Sequence, residues 1–159
     1  MKTICCCVVT VLFLAGCSST PKQENLNVSQ FRFFELDGNP VGPEQLRGKT
    51  VFLNIWATWC KPCRREFPAI ASMMKKLGRD DIRFLFASED SPVDIREFGK
   101  QNDYPFHYLL FENSAGVRIP VLPTTFIFDR EGNLRHREDG YRNWDSPASL
   151  ELLLEIAKK

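Results

Sequence analysis

Histidine is nearly absent from this chain. His107 and His136 are the only two in 159 residues, and neither stands at a short metal-ligand spacing. A structural zinc site takes about four ligands, so a zinc module has too few partners to complete one. An excess of either charge is lacking too: 21 Lys and Arg face 20 Asp and Glu. With no basic field, nucleic acid is excluded as a partner. No apolar run approaches the roughly 20 residues of a membrane-spanning helix, and no internal repeat points to a solenoid. What is present is a hydrophobic content of 43% with ten prolines and nine glycines. That supports a packed core, one globular domain and a short extension.

The extension is N-terminal. Met1-Lys2-Thr3 supplies a positive end and Ile4 to Ala15 an apolar segment, the pattern of a cleaved secretory signal over residues 1–16. Leu14-Ala15-Gly16-Cys17 resembles a bacterial lipobox, which implies that Cys17 is lipidated and becomes the mature N-terminus. An ordinary signal cleaved near the same small residues is the alternative. The lipobox reading changes the cysteine arithmetic. Of six cysteines, Cys5, Cys6 and Cys7 leave with the signal and Cys17 carries lipid, so only Cys60 and Cys63 remain as thiols. A disulfide-stapled scaffold is thereby excluded. Loss of Lys2 also brings the net charge to about zero. Residues 17–30, polar from Ser18 to Gln30 and without periodicity, read as a flexible tether reaching at most about 40 Å. Residues 31–159 then form the domain.

The stretch from Val51 to Cys63 organises that domain. It opens as a β-branched and aromatic run, short enough for a strand buried on both faces. It ends in Cys60-Lys61-Pro62-Cys63, and a helical pattern follows at once. This places the first sulfur at a helix N-terminus, where free N–H groups and the dipole favour a thiolate. A thiolate is the species that attacks disulfides. Half of a metal site is the competing reading, and the scarcity of histidine weakens it.

Other elements follow from pattern. Phe31 to Leu36 and the turn at Asp37-Gly38-Asn39-Pro40 indicate a strand and a turn. Pro68 should kink the helix after Cys63, and Ile70, Met73, Met74 and Leu77 form an apolar stripe along it. Strands are predicted over Ile82–Ala87, Phe106–Phe111, Thr124–Phe128 and Leu134–Glu138. Ser91 to Asp94 forms a capping box for a helix running to about Asn102. Ser146-Pro147 caps a last helix with Leu150, Leu153, Leu154 and Ala157 on one face. Mixed strands and helices give an α/β domain.

Trp59-Cys60-Lys61-Pro62-Cys63 resembles the thioredoxin superfamily active site. The longer match, Leu53 to Cys60 and then Arg64-Arg65-Glu66-Phe67-Pro68, is similar to its TlpA/ResA branch of membrane-tethered thiol-disulfide oxidoreductases. The resemblance implies a thioredoxin fold, a central mixed sheet flanked by helices, with an N-terminal β-hairpin. It makes Cys60 the nucleophile and more exposed sulfur, Cys63 the buried resolving thiol, and the two together the redox disulfide. Lys61 lends Cys60 positive charge, and Pro62 shapes the turn between the sulfurs. Thioredoxin uses a buried aspartate on the preceding strand as proton acceptor. The matching residue here is Asn54, which cannot take up a proton. Glu66, three residues after Cys63 and on the same helical face, is the substitute, with a pKa raised by partial burial; a solvated surface glutamate is its bland alternative. Leu122-Pro123-Thr124-Thr125 resembles the superfamily's cis-proline loop, which implies that the Leu122 backbone pairs with an extended substrate. Many relatives carry glycine two before that proline, and here it is Val121. Trp56 is expected in the core and Trp59 on the apolar rim where substrate docks.

The function so implied is extracytoplasmic thiol-disulfide oxidoreduction, reducing disulfides in protein substrates such as apocytochrome c or other envelope proteins, with a membrane thiol donor supplying electrons. No organic cofactor or metal is expected. The chain is expected to act as a monomer, lipid-anchored in the bacterial envelope and facing the periplasm. Ser18 tips the choice toward the outer membrane. Two other classes compete. A thiol peroxidase of the AhpC/TSA type would carry Pro-x-x-x-Thr-x-x-Cys, whereas Ala57 holds the threonine position. A copper-handling module like the Sco proteins would carry Cys-x-x-x-Cys and a distal histidine.

Overall fold

The computed structural model describes residues 25–113 and 117–158. The expected signal, Cys17 and most of the tether therefore lie outside the described residues. A seven-stranded mixed sheet runs in the order β2-β1-β5-β4-β3-β6-β7. Its strands are β1 (Arg32–Phe34), β2 (Pro40–Val41), β3 (Thr50–Ile55), β4 (Ile82–Ser88), β5 (His107–Glu112), β6 (Thr124–Phe128) and β7 (Leu134–Asp139). Three helices complete it: α1 (Lys61–Leu77), α2 (Pro92–Gln101) and α3 (Pro147–Ala157). The predicted hairpin forms, with Phe33 opposite Val41 and Phe34 opposite Pro40. It joins the sheet by pairing β1 antiparallel to β5.

β3 is an interior strand, parallel to β4 and antiparallel to β6, and buried along its whole length. Its period of two sends Phe52 and Trp56 to one core, and Val51, Leu53 and Ile55 to the other. The β3-α1-β4 and β4-α2-β5 crossovers step the same way across the sheet. With the usual right-handed crossover, both helices fall on one face. Indeed α1, α2 and α3 all contribute to the core that holds Phe52 and Trp56. The second core contains no residue of these helices. It is closed by Val28, from a single 3-10 turn (Val28–Gln30), and by Phe31, Leu46 and Val117 from connecting segments. The domain thus begins before Phe31. Val28 is buried, its N–H bonds Gly132, and the Leu26 carbonyl accepts from Leu134. An apolar Leu26 and Val28 among polar neighbours is enough to dock this end of the segment expected to be tether.

The helix boundaries follow local chemistry. Cys60 caps α1, Pro62 sits in its first turn, Lys75 and Lys76 in its last, and Gly78 ends it with a left-handed φ of 52°. Pro68 does not break the helix. It and Arg64, whose carbonyl loses its N–H partner, both lie on the exposed side, where water can take that bond. On α2 the Ser91 hydroxyl accepts from the Asp94 N–H, as predicted. The Asp94 carboxylate, however, accepts from the Ser91 hydroxyl itself, so the reciprocal half of the box is absent. On α3 the buried face is Ser149, Leu153, Ile156 and Ala157, centred on Leu153 and Ile156 rather than on Leu154. Glu151 and Glu155, four apart and both exposed, mark the outer side of α3, and packing on the sheet decides which of the leucines between them faces inward.

Candidate active site

The redox centre is assembled where β3 hands over to α1. Ala57 accepts from the Cys60 N–H, closing a tight turn that delivers Cys60 to the helix start. Cys60 and Cys63 are joined by a disulfide, with their Cα atoms 5.4 Å apart. The Cys60 Sγ also accepts the backbone N–H of Cys63 at 3.2 Å, in the manner of a helix N-cap. An orphan donor of the first turn therefore points at the sulfur proposed to become a thiolate. Cys60 is 3% exposed and Cys63 fully enclosed. In the disulfide, then, both cysteines are buried. Lys61 and Pro62 are exposed in the first turn.

Behind the disulfide lies Glu66, with no exposed surface. Its neighbours on α1 turn outward: the Arg64 guanidinium lies over the Phe98 ring and Arg65 over Tyr141, 3.9 Å from the ring centre. Glu66 turns inward to β3, where Asn54 Nδ2 donates to Oε1 at 2.8 Å and to Thr125 Oγ1 at 2.9 Å. Asn54 and Thr125 are register partners on β3 and β6, so they share a face. The Arg142 backbone N–H donates to Oε2 at 3.2 Å. The Trp144 indole N–H lies close by without completing a hydrogen bond. Loss of hydration pushes the Glu66 pKa up from 4.5 to about 7, and the donors from Arg142 and Asn54 only partly offset it. A carboxyl that is buried, three residues from Cys63 and half ionised near neutral pH can exchange a proton with a thiol. It is no surface charge.

A groove of about 260 Å³ opens beside the turn that delivers Cys60, lined by Ala57, Trp59, Ile119 and Leu122 together with Glu89 and Asp90. Trp59 is 72% exposed, whereas Trp56 is enclosed in the core. The Leu122–Pro123 bond is cis. Pro123 is buried and its carbonyl accepts from Gly140, while Val121, exposed, accepts the Thr124 hydroxyl. The loop thus forms with valine in the place where relatives carry glycine. Of the predicted substrate residues, Trp59 and Leu122 meet in this groove. Asp90 was not anticipated: its carboxylate accepts the Thr58 N–H at 2.6 Å and holds the loop leading to Cys60. Its signal was its place after the C-terminal end of a parallel strand, where α/β folds build sites. Arg142 and Trp144, which close over Glu66, carry no local signal. Among the described residues, no group of three or more His, Cys, Asp and Glu is placed to hold a metal ion.

The chain is similar in sequence and fold to known proteins. The AhpC/TSA family model matches residues 25–137. A thioredoxin-like protein, YneN, of Bacillus subtilis is 35% identical over 69% of this chain and 68% of its own. The thiol-disulfide oxidoreductase ResA of Bacillus cereus is 29% identical over 63% of this chain and 60% of its own. Among solved structures, a thiol:disulfide interchange protein DsbE from Chlorobium tepidum superposes with a TM-score of 0.70. It is 25% identical, covering 84% of this chain and 97% of that one.

Proposed function

Because the chain belongs to the AhpC/TSA family and is a thiol-disulfide oxidoreductase of its thioredoxin-like kind, we propose that it reduces disulfides in extracytoplasmic proteins through Cys60 and Cys63. The observation that carries this reading is the Cys60–Cys63 disulfide at the start of α1, backed by the buried Glu66. In the reduced enzyme the Cys60 thiolate attacks one substrate sulfur. The substrate S–S bond breaks, a mixed disulfide forms, and the departing thiolate takes a proton. Cys63 then passes its proton to the Glu66 carboxylate and attacks the Cys60 Sγ, releasing the second substrate thiol. Two electrons leave the dithiol, and the enzyme ends as the disulfide described here. A thiol donor in the membrane returns it to the dithiol.

Trp59 and Leu122 line the docking groove, while Pro62, in the first turn of α1, and Pro123, next to Leu122, stand outside its lining. An extended segment pairing with the Leu122 backbone brings its disulfide to Cys60. The lipobox supports a lipid anchor at Cys17 and a place on the periplasmic side, and apocytochrome c is one class of substrate compatible with it. The family match alone also admits a thiol peroxidase, but Ala57 leaves that chemistry without its threonine. Cys63→Ser tests the proposal, since it stalls the reaction at the mixed disulfide. Mass spectrometry of the trapped complex should show Cys60 joined to a cysteine of an envelope protein. Recovery of Cys60 only as an oxygen-oxidised acid, with no protein adduct, would favour peroxide as substrate instead.

A further inference from the structure

Around Glu66 lies a second layer of charge that the steps above do not use. The groups that bear on the carboxyl are Asn54 from β3, Thr125 from β6 through Asn54, Arg142 and Trp144 from the loop after β7 and, by its charge, Glu138 from β7. Of these, Glu138 and Arg142 carry charge, and they are paired, Arg142 Nη1 donating to Glu138 Oε2 at 2.7 Å. The pair is held in place on all sides. The Arg142 guanidinium lies over the Trp144 ring, 5.0 Å from its centre, and its Nε donates to the Oγ of buried Ser149 at 3.0 Å. His136 Nε2 stands 3.4 Å from the same Glu138 oxygen, its ring meeting Trp144 edge-on. Burial and the Arg142 charge push its pKa down, which favours its neutral form. Arg142 therefore touches Glu66 through its main chain and Glu138 through its side chain.

We propose that Glu138 and Arg142 are positioning residues of the redox centre: their ion pair, anchored on Trp144 and Ser149, sets the charge facing Glu66 and so how readily Glu66 accepts the Cys63 proton. This rests on the reading of Glu66 as the acid–base group. The argument is electrostatic. Glu66 is enclosed, so neighbouring charges act on it with little screening by water. The Glu138 carboxylate disfavours a second negative charge nearby, and the Arg142 guanidinium bonded to it acts in the opposite sense. Removing either partner alone unbalances the field, in opposite directions.

The test is a titration of the protonated Glu66 carboxyl by its infrared C=O band in the oxidised full chain, the band being assigned by its loss in Glu66→Gln. Glu138→Gln should move the midpoint to lower pH, by roughly half a unit to one unit, and Arg142→Gln should move it up by a similar amount. The double variant should return close to wild type, and Arg142→Lys, which keeps the charge, should hardly move it. The pH profile of peptide-disulfide reduction should shift in the same senses. A pocket merely loosened and wetted would shift every variant downward, since water stabilises the carboxylate; that result, or no shift, overturns the proposal. Should Arg142→Gln fail to fold, Glu138→Lys serves in its place. It must move the midpoint down further than Glu138→Gln does, and equal shifts reject the electrostatic reading. The band reports Glu66 whether or not turnover depends on it. If it shifts as stated while Glu66→Gln turns over normally, the tuning stands and the acid–base assignment falls.

Discussion

Glu66→Gln should remove a pH dependence of stability, and the size of the effect follows from the burial of one carboxyl. In the unfolded chain the group ionises near 4.5, and in the folded protein near 7. The native state holds the proton more tightly, so this group's contribution is full below pH 4.5 and is lost as pH rises through 7. At about 1.4 kcal/mol per unit, some 3 kcal/mol disappears across that window. Glutamine binds no proton and shows no such loss. Two donors, Asn54 Nδ2 and the Arg142 N–H, face the two carboxylate oxygens, and glutamine offers only one acceptor. The variant therefore carries a handicap of about 1 kcal/mol that does not depend strongly on pH. Urea unfolding of the oxidised proteins from pH 4 to 8.5 measures both terms. Relative to wild type, the variant's midpoint should climb by about 1–3 M urea between the two ends, given ordinary m-values. Parallel curves would refute the reasoning, because they would mean that Glu66 ionises in the folded protein as it does in water.

The remaining expectations concern the thiols and the anchor. In the reduced protein, alkylation at mildly acidic pH should label Cys60 before Cys63, because the Cys63 N–H and the positive end of α1 favour the Cys60 thiolate; equal or reversed labelling, read by peptide mass, would refute the assignment. Cys17→Ala should release the protein from the detergent phase or leave it unprocessed, and unchanged partitioning would exclude a lipid anchor there.

Much of the site was legible because its chemistry is local in the chain. Cys60 and Cys63 lie one helical turn apart, so their spacing alone brings the sulfurs together once α1 forms. Glu66 falls on the same face by the same periodicity. Proline at 62, the cap at 60 and glycine at 78 mark the helix without reference to anything distant. The two-residue period of β3 likewise announces a strand buried on both sides.

What the sequence determined by itself, then, was the redox pair, its helix, the order of strands and helices, and the carboxyl beside them. Each depends on residues a few positions apart, whose geometry the backbone imposes. Tertiary structure alone decided the rest. Whether Glu66 turned to solvent or inward could not be read from a helix that has Arg64 and Arg65 beside it. The answer came from Asn54, Thr125 and Arg142, brought from 12, 59 and 76 residues away in the chain. The docking of Val28, the phase of α3 and the Glu138–Arg142 pair against Trp144 were decided in the same way. Burial and electrostatic environment are properties of what surrounds a group in space, and for these residues nearly all of it comes from distant parts of the chain.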